Sequence, residues 1–206
     1  MDTGRLEALS DGVFAVALTL LALSLVVAGP GHGSLAHQYA DRWPSFVAYV
    51  VSFFTIGIIW VNHHALFKSF GSIDRVMIFL NLVLLFFVVV IPFATTTMAT
   101  YLRRGGADAH LAAAVYELVF EAMSLAFCLV FWWAIRRGLL VVPPAQRTAA
   151  IVRFGIGNVA YVIAIAMAFI SPVSALAISA LVALYYVFER TPNQPAETES
   201  EAPPLS

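Results

Sequence analysis

The sequence contains a single cysteine and few charged residues. One cysteine, Cys128, excludes an internal disulfide framework and a cysteine-based zinc site. Asp, Glu, Lys and Arg make up only 11% of the 206 residues, less than half of the ~25% usual in soluble domains. The net charge of −1 indicates no nucleic-acid partner. Hydrophobic residues make up 61%, more than a soluble domain of this size can bury, so the composition predicts a protein surrounded largely by lipid.

Six apolar segments are long enough to cross a bilayer, which takes about 17–25 helical residues. They cover residues 10–28, 45–66, 76–98, 111–135, 151–170 and 172–188. The last two meet at Ser171-Pro172 and are predicted to form a tight helical hairpin, because proline cannot continue a helix interior. The sequence therefore predicts an all-α polytopic membrane protein with one six-helix domain at 1–190. The stretch 191–206, rich in Pro, Glu and Ser, is predicted to be a disordered cytoplasmic tail.

The distribution of basic residues predicts the orientation in the membrane. With both termini in the cytoplasm, eight of the eleven Lys and Arg residues lie inside and three outside, as the positive-inside rule requires. A cleaved signal peptide ending near Ala28 is the alternative for the first segment. The leader argues against it, because it carries Asp2, Glu7 and Asp11 and has no net positive charge.

Polar side chains within spanning segments are costly, so each one invites a functional explanation. The predicted topology brings several to one end of the bundle: Arg5, Ser10, Asp11, Asn62, His63, His64, Asp74, Arg75 and Asn81. We expect Asp11 to accept hydrogen bonds or to pair with Arg5 or a histidine, which would anchor the first segment. Helix capping and snorkelling would explain the same cluster without a function. Adjacent His63 and His64 lie about 100° apart on a helix, so no metal site is predicted, and a proton-sensitive role suits them better.

Glu117 and Glu121 lie four residues apart and share one face of the fourth segment. Two carboxylates cannot face lipid, so we expect them to face protein, water or the outer interface. A polar contact between helices or subunits would explain the pair, and so would an ion or proton relay.

Val16, Leu20 and Leu23 form one stripe along the first segment, with Thr19 beside it. Such a stripe is ordinarily a packing surface. If several copies surrounded an axis, however, its apolar rings could close a pore by dewetting, and the threonine hydroxyls could replace part of a cation's hydration shell. The chain contains no Gly-Tyr-Gly sequence, so selection of K⁺ by stacked carbonyls is not expected.

Three motifs in the first half of the chain resemble one known family. They are Arg5-x4-Ser10-Asp11-Gly12-Val13-Phe14-Ala15, then Trp60-x2-His63-His64-x2-Phe67, then Asn81-Leu82 through Pro92-Phe93-Ala94-Thr95. The first is similar to the start of the prokaryotic relatives of the lysosomal potassium channel, the transmembrane protein 175 family, whose signature is an arginine followed by Phe-Ser-Asp. The motifs span about residues 5–98, and the rest of the chain matches mainly in hydropathy.

The resemblance implies a six-helix subunit in the bacterial cell (inner) membrane, with both termini cytoplasmic and four subunits around a central pore. The family's first helix lines that pore. This implies that Val16 forms the narrowest apolar ring, that Thr19 supplies the hydroxyl, and that Leu20 and Leu23 form further rings. The residues implied to hold this helix in place are Arg5, Ser10 and Asp11, with His63, His64 and Asn81 on the neighbouring segments.

Two positions depart from the family pattern. Leu9 stands where the motif has phenylalanine, and we expect leucine still to fill an apolar pocket. Val16 stands where a larger isoleucine or leucine is common. Since valine is smaller, the expected constriction is wider, with weaker closure and selectivity.

The function that the resemblance implies is a potassium-permeable cation channel with a hydrophobic gate and passive K⁺ flux. Neither a cofactor nor an enzymatic activity is expected. The alternative is a proton-coupled secondary transporter that uses Glu117, Glu121 and His63/His64, although no internal repeat relates residues 1–100 to 101–188. A membrane-embedded enzyme with a His63/His64/Glu site is a third hypothesis, and no nucleophile–base motif supports it.

Overall fold

The computed structural model describes residues 3–140 and 144–188, and all regular secondary structure within them is helical. The helices are α1 (Thr3–Ala22), α2 (Leu35–Asp41), α3 (Trp43–Lys68), α4 (Arg75–Leu102), α5 (Gly106–Arg136), α6 (Pro144–Ala168) and α7 (Pro172–Phe188). The predicted tail at 191–206 lies outside these residues.

Consecutive long helices from α3 to α7 run antiparallel, as hydrogen bonds between their ends show. Each of these bonds joins the start of one helix to the end of the next or the previous one. The pairs are His63 with Asn81, Asp74 with Trp133, His110 with Ala168, and Tyr186 with Arg153. The start of α1 lies beside the start of α4, so α1 begins at the end of the bundle where α7 ends.

Among residues 3–140 and 144–188, four helices are long and apolar enough to cross a membrane: α3, α4, α5 and the Ile151–Ala168 part of α6. Helix α7 is apolar but has only 17 residues. Helix α1 has 20 residues, yet its first half carries Arg5, Glu7 and Asp11. The predicted all-helical architecture is therefore seen in the described residues, and four of the six predicted crossings meet the criteria of length and apolar composition.

Helix α1 differs from the predicted first segment at both ends. It begins at Thr3, not at residue 10, because Arg5 and Glu7 are good helix formers although they are charged. It ends at Ala22, not at residue 28. The Ser24 hydroxyl donates to the Leu21 carbonyl at 2.8 Å, and such local bonds compete with further helix. An apolar run indicates affinity for lipid, and it does not by itself indicate helix.

The loop after α1 contains the short helix α2, which is absent from the predicted segments. Its seven residues are too polar and too few to register as a crossing. Gly29 and Gly31 have φ of 87° and 93°, in the left-handed region that glycine adopts without strain. Ser34 caps α2 by accepting a hydrogen bond from the His37 amide. The break at Ser171-Pro172 lies where the hairpin prediction put it, between α6 and α7.

The core lies along α4 and α5, which pack against each other; α1 and α3 cover α4, and α6 and α7 cover α5. A buried polar contact crosses three of these helices. The Ser52 hydroxyl of α3 lies 2.8 Å from that of Thr95 on α4 and 3.1 Å from that of Tyr116 on α5. Hydrogen bonds of this kind hold helices together where lipid supplies no hydrophobic driving force.

Asp74 fixes the start of α4 and ties it to the end of α5. Its carboxylate accepts hydrogen bonds from the Met77 amide at 2.8 Å and from the Trp133 indole at 3.0 Å. The Arg137 guanidinium lies 3.4 Å away. The Met77 hydrogen bond is the main cause that lowers the pKa of Asp74, and Trp133 and Arg137 act in the same direction.

We expect Asp74→Ala to reduce stability by about 1 kcal/mol at pH 7, the usual effect of losing an N-cap. The folded-state pKa of Asp74 lies below its unfolded value, so the carboxylate stabilises the fold fully above pH ~4 and progressively less as the pH falls through the folded-state pKa. The difference between wild type and variant should therefore shrink in acid. Thermal unfolding in detergent between pH 7 and pH 3 measures it.

The matched control is Asp108→Ala, because Asp108 lies exposed in the first turn of α5. Losing a surface charge near a helix N-terminus costs only about 0.3–1 kcal/mol. Equal losses in the two variants, independent of pH, would contradict the capping role of Asp74.

Candidate functional site

A buried chain of hydrogen bonds links α1, α4 and α3. Asn81 on α4 donates to the Ser10 hydroxyl on α1 at 3.0 Å and accepts from Nε2 of His63 on α3 at 2.7 Å. Ser10 in turn donates to the Leu6 carbonyl at 2.9 Å. Ser10, His63 and Asn81 are all fully buried. Because the Asn81 amide uses its nitrogen for Ser10, its oxygen faces His63, and this assigns the proton to Nε2.

Aromatic rings hold the His63 imidazole in place. Phe67 stacks on it, with ring centroids 4.0 Å apart and planes 15° apart. Phe14 of α1 lies 5.4 Å from it on another side. The ring therefore has little freedom to turn, and the polar chain is enclosed by apolar groups, where each hydrogen bond is strengthened.

A second cluster joins α1 to α3. The Trp60 indole of α3 donates to Asp11 on α1 at 2.9 Å. Nδ1 of His64 lies 3.0 Å from the Glu7 carboxylate and 4.0 Å from that of Asp11. The predicted pairing of Asp11 with a histidine is thus present at long range. Arg5 is exposed, and the contacts of Asp11 within the described ranges go to Trp60 and His64.

Sequence reasoning missed Glu7 and Trp60 as members of this cluster. Both had a signal: Glu7 lies one helical turn before Asp11, and Trp60 lies one turn before His64. The oxygen and nitrogen atoms of Glu7, Asp11 and His64 lie within 4.8 Å of one another, a spacing that could hold a cation. His63 faces Asn81 instead, so the two adjacent histidines serve different contacts.

Within the described residues, no helix covers the opposite face of α1. Val16 and Leu20 are 55% and 39% exposed, and Leu23, which follows the end of α1, is 70% exposed. Thr19 is exposed as well. The Thr19 hydroxyl donates to the Val16 carbonyl at 2.8 Å. The buried side of the helix consists of Leu6, Ser10, Phe14, Ala17 and Leu21. Helix α1 therefore has one face attached to α3 and α4, and one face that no helix of the described part of the chain contacts.

The expectation that Leu9 fills an apolar pocket is wrong for the single subunit. Leu9 is 48% exposed. It precedes Val16 by seven residues, close to two helical turns, so it points to the same uncovered side of α1 as Val16.

The two glutamates of α5 face protein, one of the environments predicted for them. Glu117 is fully buried and accepts a hydrogen bond from Ser179 of α7. Glu121 is buried one turn further along. The neighbouring Tyr116 contacts Ser52, and His63 lies eleven residues beyond Ser52 on α3, about 16 Å along the axis. The residues of the transporter alternative therefore do not meet in one site.

Comparisons with known proteins identify the family. The family described as "Endosomal/lysosomal potassium channel TMEM175" matches residues 5–92. A protein of Streptomyces collinus named potassium channel is 46% identical, over 93% of this chain and 94% of its own. Another named potassium channel, from Chamaesiphon minutus, is 34% identical over 90% and 93%.

A solved structure also resembles this fold. The crystal structure of a lysosomal potassium-selective channel TMEM175 homolog from Chamaesiphon minutus superposes with a TM-score of 0.77 at 33% identity. The match covers 90% of this chain and 96% of that one. The resemblance read from the sequence motifs is confirmed, and the chain belongs to the TMEM175 family, among its bacterial members.

Proposed function

We propose that this chain is one subunit of a homotetrameric, potassium-permeable cation channel whose pore is lined by α1. The observation that carries the proposal is the two-sided character of α1. One side is fixed to α3 and α4 through the buried Ser10–Asn81–His63 chain. On the other side, Val16 and Leu20 are exposed among the residues that the structure describes. Two relatives that match nearly the whole chain are named potassium channels, which supports the same activity here.

In this proposal α1 and α3 to α7 all cross the bacterial inner membrane, with both termini in the cytoplasm. The 20 residues of α1 extend about 30 Å, the thickness of a hydrocarbon core. The 17 residues of α7 are at the short end of the range for a crossing. The excess of Lys and Arg in the loops assigned to the inside favours this orientation.

Four copies of α1 would place rings of Val16 and Leu20 around the axis. Water is poorly held in a narrow apolar ring, so the passage can close by dewetting. The Thr19 hydroxyl donates its proton to the Val16 carbonyl. Its oxygen therefore keeps a lone pair that can coordinate a cation in the pore. Discrimination of K⁺ from Na⁺ then rests on partial dehydration and is modest. The small Val16 side chain makes the ring wider than leucine would.

Flux measurements on the purified chain in liposomes test this proposal. With K⁺ inside and Na⁺ outside, an ion-selective electrode should record K⁺ efflux well above that of protein-free liposomes. The K⁺ flux should need no proton gradient, because passive conduction is not coupled to the movement of another ion. Absence of K⁺ flux from folded, incorporated protein would contradict the proposal.

Replacing Glu117 distinguishes the channel from the transporter alternative. Glu117→Gln keeps the side-chain size and can still accept from Ser179. We expect its K⁺ flux to stay within about twofold of wild type, the effect of ~0.5 kcal/mol, because Glu117 lies on α5, away from the uncovered face of α1. Proton uptake in fixed ratio to K⁺ that disappears in the variant would contradict the channel and favour a transporter.

A further inference from the structure

A polar cavity of about 560 Å³ lies where α1 ends, α3 begins and α4 ends. Three arginines line it: Arg42 before α3, and Arg103 and Arg104 after α4. Serine and threonine residues of α3, α4 and the segment after α1 add four hydroxyl groups, and Leu23 and Val26 form an apolar wall. These arginines have no role in the proposed channel pore.

The charges of this cavity are only partly balanced. Arg103 lies 3.3 Å from the Asp41 carboxylate, and the Arg104 guanidinium lies over the Tyr101 ring at 5.4 Å. No acidic side chain lines the cavity itself within the described part of the chain. Since arginine stays charged at any ordinary pH, the cavity keeps an excess of positive charge beside several hydroxyl groups. Its chemistry therefore suits an anion with several oxygen atoms.

The position of the cavity points to the headgroup level of a membrane. Arg42 directly precedes α3, and Arg103 directly follows α4. Both helices are apolar enough to span a bilayer. Trp43 directly follows Arg42, and Tyr101 lies two residues before Arg103. Such aromatic residues concentrate where hydrocarbon meets water. Phosphate groups of lipids lie at that level.

We propose that this cavity binds a phosphate group through Arg42, Arg103 and Arg104. The phosphate is either that of an anionic phospholipid headgroup or free inorganic phosphate. The guanidinium fork matches two phosphate oxygens at once. The proposal concerns binding alone and does not depend on conduction.

Native mass spectrometry of the full chain in neutral detergent tests the proposal with phosphatidylglycerol and phosphatidylcholine as probes. Phosphatidylglycerol should bind more tightly, because choline carries a positive charge that the arginines repel. The triple variant Arg42→Gln, Arg103→Gln, Arg104→Gln should bind phosphatidylglycerol roughly tenfold more weakly or worse. The matched control Arg75→Gln, at the other end of α4, should bind as the wild type does.

In a second experiment, phosphorus NMR measures the binding of inorganic phosphate to the same proteins. Phosphate binding that the triple variant loses, without a preference for phosphatidylglycerol, supports free phosphate as the source. Binding of both probes that is equal in wild type and triple variant overturns the proposal. If the triple variant does not fold, the salt dependence of wild-type binding decides: KCl should weaken it by screening, and binding that is indifferent to salt overturns the proposal.

Discussion

Replacing Asn81 with leucine should destabilise the folded subunit by about 2 kcal/mol. Leucine has the same number of side-chain heavy atoms and the same branching as asparagine, so the change removes hydrogen bonds and leaves no cavity. The Nε2–H group of His63 loses its acceptor, and the Ser10 hydroxyl loses a donor. Both groups stay fully buried, and a buried polar group without a partner costs about 1–3 kcal/mol. Ser10 keeps its bond to the Leu6 carbonyl, which moderates the loss.

Asn62→Leu is the matched control for this prediction. Asn62 neighbours His63 on α3, is half-buried, and donates to the Ile58 carbonyl of its own helix. We expect its stability to change by no more than about 0.5 kcal/mol. Thermal unfolding of both variants in the same detergent gives the comparison. Equal stabilities for Asn81→Leu and Asn62→Leu would show that the buried chain does not hold α1 in place.

The double substitution Val16→Asn, Leu20→Asn should raise K⁺ flux roughly tenfold. In the proposed tetramer each apolar ring becomes a ring of amides, which keeps water in the constriction and removes the dewetting barrier. A tenfold change corresponds to ~1.4 kcal/mol, a small part of the cost of passing an ion through a dry ring. The preference for K⁺ over Na⁺ should fall at the same time, because cations would pass with more of their water. Liposome flux with K⁺ and Na⁺ in turn measures both effects.

Val159→Asn is the control for an amide placed on an exposed apolar surface. Val159 is 60% exposed and lies on α6, which packs against α5 and α7, whereas α1 packs against α3 and α4. This variant should conduct as the wild type does. Unchanged flux in the α1 variant, or an equal rise in the α6 variant, would contradict a pore lined by Val16 and Leu20.

The convergence of Ser10, His63 and Asn81 could be predicted from sequence, because topology alone brings these residues to one end of the bundle. Once consecutive segments are antiparallel, Ser10, His63 and Asn81 must lie at one end of the bundle. Which atoms meet could not be predicted. Asp11 receives the Trp60 indole, and this choice depends on the rotation of α3 about its axis, which hydropathy does not report.

Element boundaries were harder to predict than element identity. Hydropathy marks where a chain prefers lipid, whereas helix continues through charged turns such as that containing Arg5 and Glu7. The same measure passed over α2, whose sequence is polar. The exposure of Leu9 follows from the face of α1 on which it lies. The seven-residue spacing between Leu9 and Val16 already placed both residues on that face. The expectation that Leu9 fills an apolar pocket did not take this spacing into account.

Particle imaging of the purified channel in lipid nanodiscs tests the central claim most directly, by giving the number of subunits and the position of α1. The account predicts fourfold symmetry, an axial passage, and Val16, Thr19, Leu20 and Leu23 turned toward it. A single subunit without an axial hole, or a tetramer in which that side of α1 faces lipid, would contradict the account.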